Sequence, residues 1–300
     1  MRKSLTSFFS LEQLQALVLV VDRGSFSAAA DMLGISQPAV SQQVRELERR
    51  LGTRLLERVG RKVAPTPAGG ALLGHARSIL ELARQASDAV RAHDDGIQGS
   101  VRLGTGATAC LHLLPPVLRH VRAHYPAVQV LVTTGNTEDF VRRVEQNTLD
   151  FALVTLPVSS RALSVVPVLE DPYVLIGPPG APRLPKAVAP RALSALPLIL
   201  FEPGANTRTL VDAWLLAGGV KLRPTMELGS IEAIKEMVAE GLGYSIIPRM
   251  ALPTGSAARF QVRALQPPLA RELGLIMRQD KPVTRAMGVV AEAIVQGRRP

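Results

Sequence analysis

Cysteine is almost missing from the 300-residue chain, Cys110 being the only one. A single thiol builds no disulfide framework, and nothing in the sequence asks for an oxidising compartment. Long hydrophobic runs are missing too. No uncharged apolar stretch approaches the ~18–20 residues that cross a bilayer. The N-terminus imitates a secretory signal through Arg2-Lys3, the apolar Leu17–Val21 and the small residues Ser27–Ala30. Glu12, Gln13 and Gln15 interrupt it and Asp22-Arg23 closes it, so a folded helix explains the segment better. Acidic residues are in the minority, 25 against 35 Lys and Arg, for a net charge of +10. If clustered, that excess points to nucleic acid or another anionic surface. What is abundant is apolar side chain, 47% of residues, which excludes disorder. The length suggests two domains or three compact units.

Ser10-Leu11-Glu12-Gln13 reads as a capping box that opens a helix, with Leu14, Leu17, Val18 and Val21 on its apolar face. Gly24-Ser25 breaks it, and a second short helix begins near Ser27. Gly34-Ile35-Ser36 forms a tight turn in which Gly34 takes φ > 0 and Ser36 caps the next helix. That third helix starts at Gln37-Pro38 and runs to Leu51. The pattern over about Phe26 to Arg45 is a helix-turn-helix. Residues 55–63 then suit a β-hairpin with Gly60-Arg61 at its tip. Thr66 caps a long helix that has Pro67 in its first turn.

At about 100° per residue, Val40, Val44, Leu47 and Leu51 fall on one side of the third helix. Gln37, Ser41, Gln42 and Arg45 fall on the other. Gln pairs with adenine, Arg with guanine, and Ser with base or phosphate, so this face fits a major groove. From Arg45 to Lys62 there are seven basic residues (45, 49, 50, 54, 58, 61, 62) against Glu46, Glu48 and Glu57, a local charge of +4. Arg61-Lys62 at the hairpin tip is placed for the DNA backbone or minor groove. Along the long helix Leu72, Ala76, Ile79, Ala83, Ala86 and Val90 make a heptad seam. It suits either packing on its own domain or, as we favour, pairing with a second copy.

Asp94–Ser100 is the clearest linker. Beyond it strands and helices alternate, which predicts a mostly parallel α/β architecture, with the Pro/Gly-rich Pro167–Pro190 as a crossover into a second lobe. Leu103–Ala109 matches a dinucleotide fingerprint. The ribose-binding acid about 20 residues on is missing, however, since no Asp or Glu occurs between Asp95 and Glu138. The same geometry serves a small ligand carrying a carboxylate or sulfate, cradled by backbone N–H groups and Thr108. His120 and His124 have metal-ligand spacing but lack a zincin Glu, and read best as a solvated helix face. Ser245 lacks a nucleophile elbow. Cys110 reads as a buried small hydrophobe. No catalytic residue, metal site or cofactor is expected. Strand ends at Gly106–Thr108, Gly135-Asn136-Thr137, Gly204–Thr207 and Gly229-Ser230 converge on one cleft. Thr137 and Ser230 would equally serve as ordinary helix caps.

Ser27 through Val44, then Leu47-Glu48, Leu51-Gly52, Leu55–Arg58, Arg61 and Thr66–Gly69, resemble the winged helix-turn-helix of LysR-type transcriptional regulators. The likeness is dense through residue 69 and looser to the C-terminus. It implies a winged helix-turn-helix at 1–69, a dimerising linker helix and hinge at 70–97, and an effector domain at 98–300. That domain would be two-lobed and like type 2 periplasmic binding proteins, with lobe I near 98–168 and 272–300 and lobe II near 169–271. The resemblance places DNA contacts at Gln37, Pro38, Ser41, Gln42 and Arg61, with Gln42 standing where many members carry Arg. It places effector contacts at Thr108, Asn136 and Ser230. It further implies double-stranded promoter DNA, a small effector and a homodimer or homotetramer. The helix starts at the cleft make that effector anionic, and with no apolar run to span a bilayer the expected location is cytoplasmic with no membrane partner. The rival reading is a ligand-binding or enzymatic α/β protein with an accessory N-terminal domain.

Overall fold

The structure, a computed structural model, describes residues 9–59, 62–91, 96–182, 184–252 and 255–297. The chain divides into two compact units, residues 1–96 with 146–148, and residues 97–145 with 149–300.

In the first unit each helix begins on a side chain that answers its own first turn. Ser10 and Gln13 form a reciprocal capping box at α1 (Leu11–Arg23), with bonds of 2.9 and 3.2 Å. Ser25 caps α2 (Phe26–Leu33) and Ser36 caps α3 (Gln37–Leu51). Gly24, Gly34 and Gly52 end these helices at φ near +65°, a conformation that costs glycine nothing. An antiparallel hairpin, β1 (Leu56–Val59) with β2 (Lys62–Pro65), forms the wing. Its predicted tip, Gly60-Arg61, lies outside the described residues. Thr66 then accepts from Gly69 N (3.1 Å) and donates to Arg54 O (2.8 Å), opening α4 (Pro67–Arg91). Gly69 admits no side chain, because a Cβ there would sit 2.0 Å from the Leu55 carbonyl oxygen.

α1 is buried on two faces. Leu14 and Leu17 pack with Leu47, Leu55, Leu73 and Ala76, while Ala16 and Val20 pack with Ala29, Ala30, Val40 and Val44. The first half of the predicted seam is therefore spent inside its own unit. Ala76 is fully buried there, and Leu72 and Ile79 flank the same cluster. Further along, Leu82 is 61% exposed and Ala86 is exposed. The Val90 side chain lies outside the described residues.

The second unit is built on one mixed sheet in the order β4-β3-β5-β12-β6-β11-β7, with β10 also paired to β6. Its strands are β3 (Gly99–Thr105), β4 (Val128–Thr134), β5 (Phe151–Thr155), β6 (Leu163–Gly177), β7 (Ala187–Val188), β10 (Ser245–Pro248), β11 (Gln261–Leu265) and β12 (Ala270–Arg278). A separate parallel pair joins β8 (Ile199–Phe201) to β9 (Met226–Leu228). The helices are α5 (Ala107–His112), α6 (Leu114–His124), α7 (Thr137–Glu145), α8 (Asn206–Ala217), α9 (Ile231–Ala239) and α10 (Arg285–Gln296). The expectation of a mostly parallel sheet is corrected: β6 and β12 pair antiparallel with each other and β12 pairs antiparallel with β5.

The crossover expected at Pro167–Pro190 is made by a strand, since its first part lies inside β6, a single strand of 15 residues. Proline is tolerated at bulges and pairing ends. Pro167 sits opposite the register shift at Leu273/Gly274, and Pro172 sits where β6 leaves β12. From Tyr173 onward β6 pairs with β10, and from Val174 with β11. One strand thus serves two lobes. Lobe I centres on Leu103, Leu114, Phe151 and Met287, and lobe II on Leu200, Trp214, Ile199 and Ile234.

A buried charge cluster pins lobe I. Asp150, fully buried, accepts from Arg102 Nη2 (2.9 Å), Arg102 N (2.6 Å) and Lys281 Nζ (2.7 Å). Burial alone would raise the Asp150 carboxyl, but the two cations outweigh it and hold its pKa down to about 2.

Candidate functional site

On α3, Gln37, Pro38, Gln42 and Arg45 are exposed and Ser41 is half-buried, while Val40, Val44 and Leu47 face inward. Arg45 Nε donates to the Ser41 carbonyl (3.2 Å), so the guanidinium lies along the helix beside Ser41. Arg54, Arg58 and Lys62 are exposed on the wing and its approach. Arg61 is outside the described residues. The acids among these bases are largely occupied. Glu46 takes Arg49 and Arg50 at 2.6 and 2.8 Å, and those bonds hold its carboxyl near 2. Glu48 Oε1 accepts from Leu55 N (2.8 Å) and Leu56 N (3.2 Å), tying α3 to the start of the wing. This role of Glu48 escaped the sequence reading, where it counted only as a charge. Its partners are seven and eight residues away, beyond any helical spacing.

In the second unit, the loops after β3, β4, β8 and β9 enclose a cavity of about 660 Å³, ordinary for a small-molecule site. Thr108, Asn136, Thr137 and Ser230 all line it. Two of them have local work. Asn136 Oδ1 accepts from Asp139 N (2.8 Å) and Ser230 Oγ from Ala233 N (3.4 Å), so each caps the helix it precedes. Thr137 Oγ1 accepts from Asn206 Nδ2 (3.0 Å), a bond from lobe II to lobe I at the cavity. Thr108 lies in α5, whose N-cap is Gly106 and supplies no side-chain bond. Gly104 of the dinucleotide-like pattern has a packing reason, since a Cβ there would meet Phe140 Cδ1 at 2.6 Å. His120 and His124 are exposed with their rings 4.2 Å apart, and His124 Nδ1 bonds the His120 carbonyl. No cluster of potential metal ligands occurs among the described residues. Cys110 is half-buried rather than buried, correcting that expectation.

A helix-turn-helix with an exposed polar face and a basic wing, in one chain with a two-lobed domain that holds a cavity, is a specific combination. Residues 11–70 match the bacterial regulatory helix-turn-helix of the lysR family, and residues 94–299 match the LysR substrate binding domain. The chain belongs to the LysR family of transcriptional regulators. A probable hydrogen peroxide-inducible genes activator of Mycobacterium avium is 33% identical over 290 residues, covering 94% of this chain and 93% of the relative. Full-length OxyR from Pseudomonas aeruginosa superposes with a TM-score of 0.75 at 24% identity, over 95% of this chain and 94% of that one. Full-length CbnR in complex with its target DNA gives 0.66 at 23% identity, over 96% and 100%. These two structures share the fold. No helix among the described residues is long and apolar enough to cross a membrane.

In this LysR-type regulator two charged residues that line the cavity, Glu202 and Arg271, were not among those expected from the sequence. Arg271 left a signal. It shares the alternation of Leu273 and Leu275 in β12, which puts an arginine on a buried strand face. Glu202 sits in a loop, where a lone acid carries no such mark.

Proposed function

We propose that Gln37, Ser41, Gln42 and Arg45 of this LysR-type regulator read bases in a promoter major groove. Pro38 fits the helix start against the DNA, and Arg61 and Lys62 hold the backbone from the wing. The supporting observation is the exposed polar face of α3, which carries Arg45, beside Arg54, Arg58 and Lys62 exposed on the wing and its approach. A small effector in the cavity lined by Thr108, Asn136, Thr137 and Ser230 biases the lobes and thereby the DNA complex. The regulator acts as a homodimer or homotetramer in the cytoplasm, without catalysis or a cofactor. The part of α4 where Leu82 and Ala86 are exposed is the place for pairing, because two winged helices are needed to span two half-sites. Peroxide induction is a property of the Mycobacterium avium relative. With Cys110 alone, this chain forms no intramolecular disulfide.

The test begins with a binding site selected from random duplex DNA by the full-length protein. Gln37→Ala should lose about 1–3 kcal/mol of discrimination at particular base pairs. Lys62→Ala should weaken all sequences alike and flatten the salt dependence. The same sequence-blind loss in both variants would remove the recognition role from α3.

A further inference from the structure

The chemistry of the effector can be taken further from the charges that line its cavity, resting on the reading of that cavity as the effector site. Three charged side chains face it: Arg271, Glu202 and Glu232. Two already have counter-charges. Arg271, 9% exposed, donates from Nε and Nη2 to Asp171 Oδ2 at 3.0 and 2.9 Å. Glu232 is paired with Lys235 (2.6 Å) and His112 (3.1 Å). Glu202 is exposed, lies against Gly229, and has no side-chain hydrogen bond or ion pair among the described residues. The lining therefore carries one uncompensated carboxylate and no uncompensated cation. That charge balance repels a dianion.

Arg271 nevertheless gives the cavity an acceptor-seeking end. A buried ion pair can do more than hold strands together, since apolar side chains of similar volume often stabilise a core as well. Asp171 takes only the Nε–Nη2 edge of the guanidinium, which has five donors in all. The Tyr173 phenol, which burial keeps protonated, accepts a hydrogen bond from Arg271 and donates to Thr207 Oγ1 (3.3 Å), so it links the arginine to Thr207 and leaves part of the guanidinium for a ligand. Thr207 stands in the first turn of α8, where the N-cap, Ala205, supplies no side-chain bond. Arginine, hydroxyl and open helix turn together suit one carboxylate. Glu202 is five residues before Thr207 on the loop that enters the same helix. A ligand that places a carboxylate at one end of this loop meets a carboxylate at the other.

We infer that the effector is a small zwitterion with the chemistry of an amino acid, its carboxylate held by Arg271 and Thr207 and its ammonium by Glu202. The sequence alone suggested an anionic ligand from the helix starts. Glu202 is the residue that turns the preference toward a group with both charges.

Thermal unfolding of the full-length protein tests this against the standard amino acids, each beside its deaminated acid and its decarboxylated amine, together with short dicarboxylates. At least one amino acid should raise the melting temperature while its acid and amine analogues do not. Calorimetric titration of that amino acid should then weaken by about tenfold or more in Glu202→Gln. The deaminated acid should bind Glu202→Gln at least as well as it binds wild type. Arg271→Lys, which keeps a cation for Asp171, should weaken the amino acid and the acid together. The inference is overturned if a deaminated acid or a dicarboxylate stabilises wild type as strongly, or if no amino acid stabilises it. Thr108→Val separates this failure from a failure of the cavity itself. A stabilising acid or dicarboxylate that Thr108→Val abolishes leaves the cavity as the effector site and removes only the zwitterion. A ligand that stabilises wild type, Thr108→Val and Arg271→Lys equally removes the cavity.

Discussion

The two units differ in where their most deeply buried charge pairs lie. In the first, Glu46 pairs with Arg49 and Arg50 on the surface of α3 at spacings of three and four, and the longest-range pair among the described residues, Asp22 with Arg77, joins α1 to α4 across 55 residues with Asp22 still exposed. In the second, the pairs that matter are buried and join distant segments. Asp150 reaches Arg102 across 48 residues and Lys281 across 131, and Asp171 reaches Arg271 across 100. A surface pair is screened and contributes little, which leaves the outside of α3 free to serve DNA. A buried pair has no water to fall back on, so it locks the strands that carry it. The DNA-binding unit thus keeps its charge available, while the effector unit uses charge to hold β3, β5 and β12 and the strand crossing beside its cavity.

Breaking the Asp150 cluster should have the largest effect. Asp150→Asn leaves Lys281, whose side chain is 2% exposed, without that counter-charge. The second unit should lose about 3–5 kcal/mol in chemical denaturation, the cost of removing one partner from a buried pair. The pH dependence sharpens the point. The Asp150 pKa falls from 3.8 to about 2 on folding, so its contribution is complete above the ordinary carboxylate range and disappears as pH drops toward 2. Between pH 4 and 2, about the window of that shift, the variant should show a flatter loss of stability than wild type. An equal slope in both proteins would mean that other carboxylates govern acid unfolding.

Glu48→Gln should come next. Its carboxylate answers two backbone N–H groups at the start of the wing, and a neutral amide accepts more weakly. We expect about 1–2 kcal/mol lost from the first unit, read by calorimetry, with the melting of the second unit unchanged. The smallest effect belongs to Glu46→Gln, at the exposed pair. Its melting temperature should match wild type, while release of Arg49 and Arg50 should steepen the salt dependence of DNA binding. A clear loss of stability there would break the contrast between the two units.

The same contrast explains how much was legible. Caps at Ser10, Ser36 and Thr66, the turn at Gly34 and the polar face of α3 all act over three or four residues, so spacing reveals them. In the second unit β5, β9 and α9 follow from local pattern, and the cavity-lining Thr108, Asn136, Thr137 and Ser230 follow from strand ends. Pro167 and Pro172 marked the crossover, but that it runs as one strand was not legible, because a proline's place at a bulge or a change of partner depends on the opposite strand.

By itself, then, the sequence determined every feature whose energy is settled within a helical turn or a strand: the caps, the recognition face, the basic wing and the glycine turns. It also determined what chemistry was available, with one thiol and no acid where a dinucleotide site needs it. Only the tertiary structure decided which half of α4 is buried in its own unit, that β6 serves both lobes, and which of the many charges are buried and joined. Those outcomes depend on residues tens to more than a hundred positions apart, and no periodicity in the chain records which distant partner removes a given group from water.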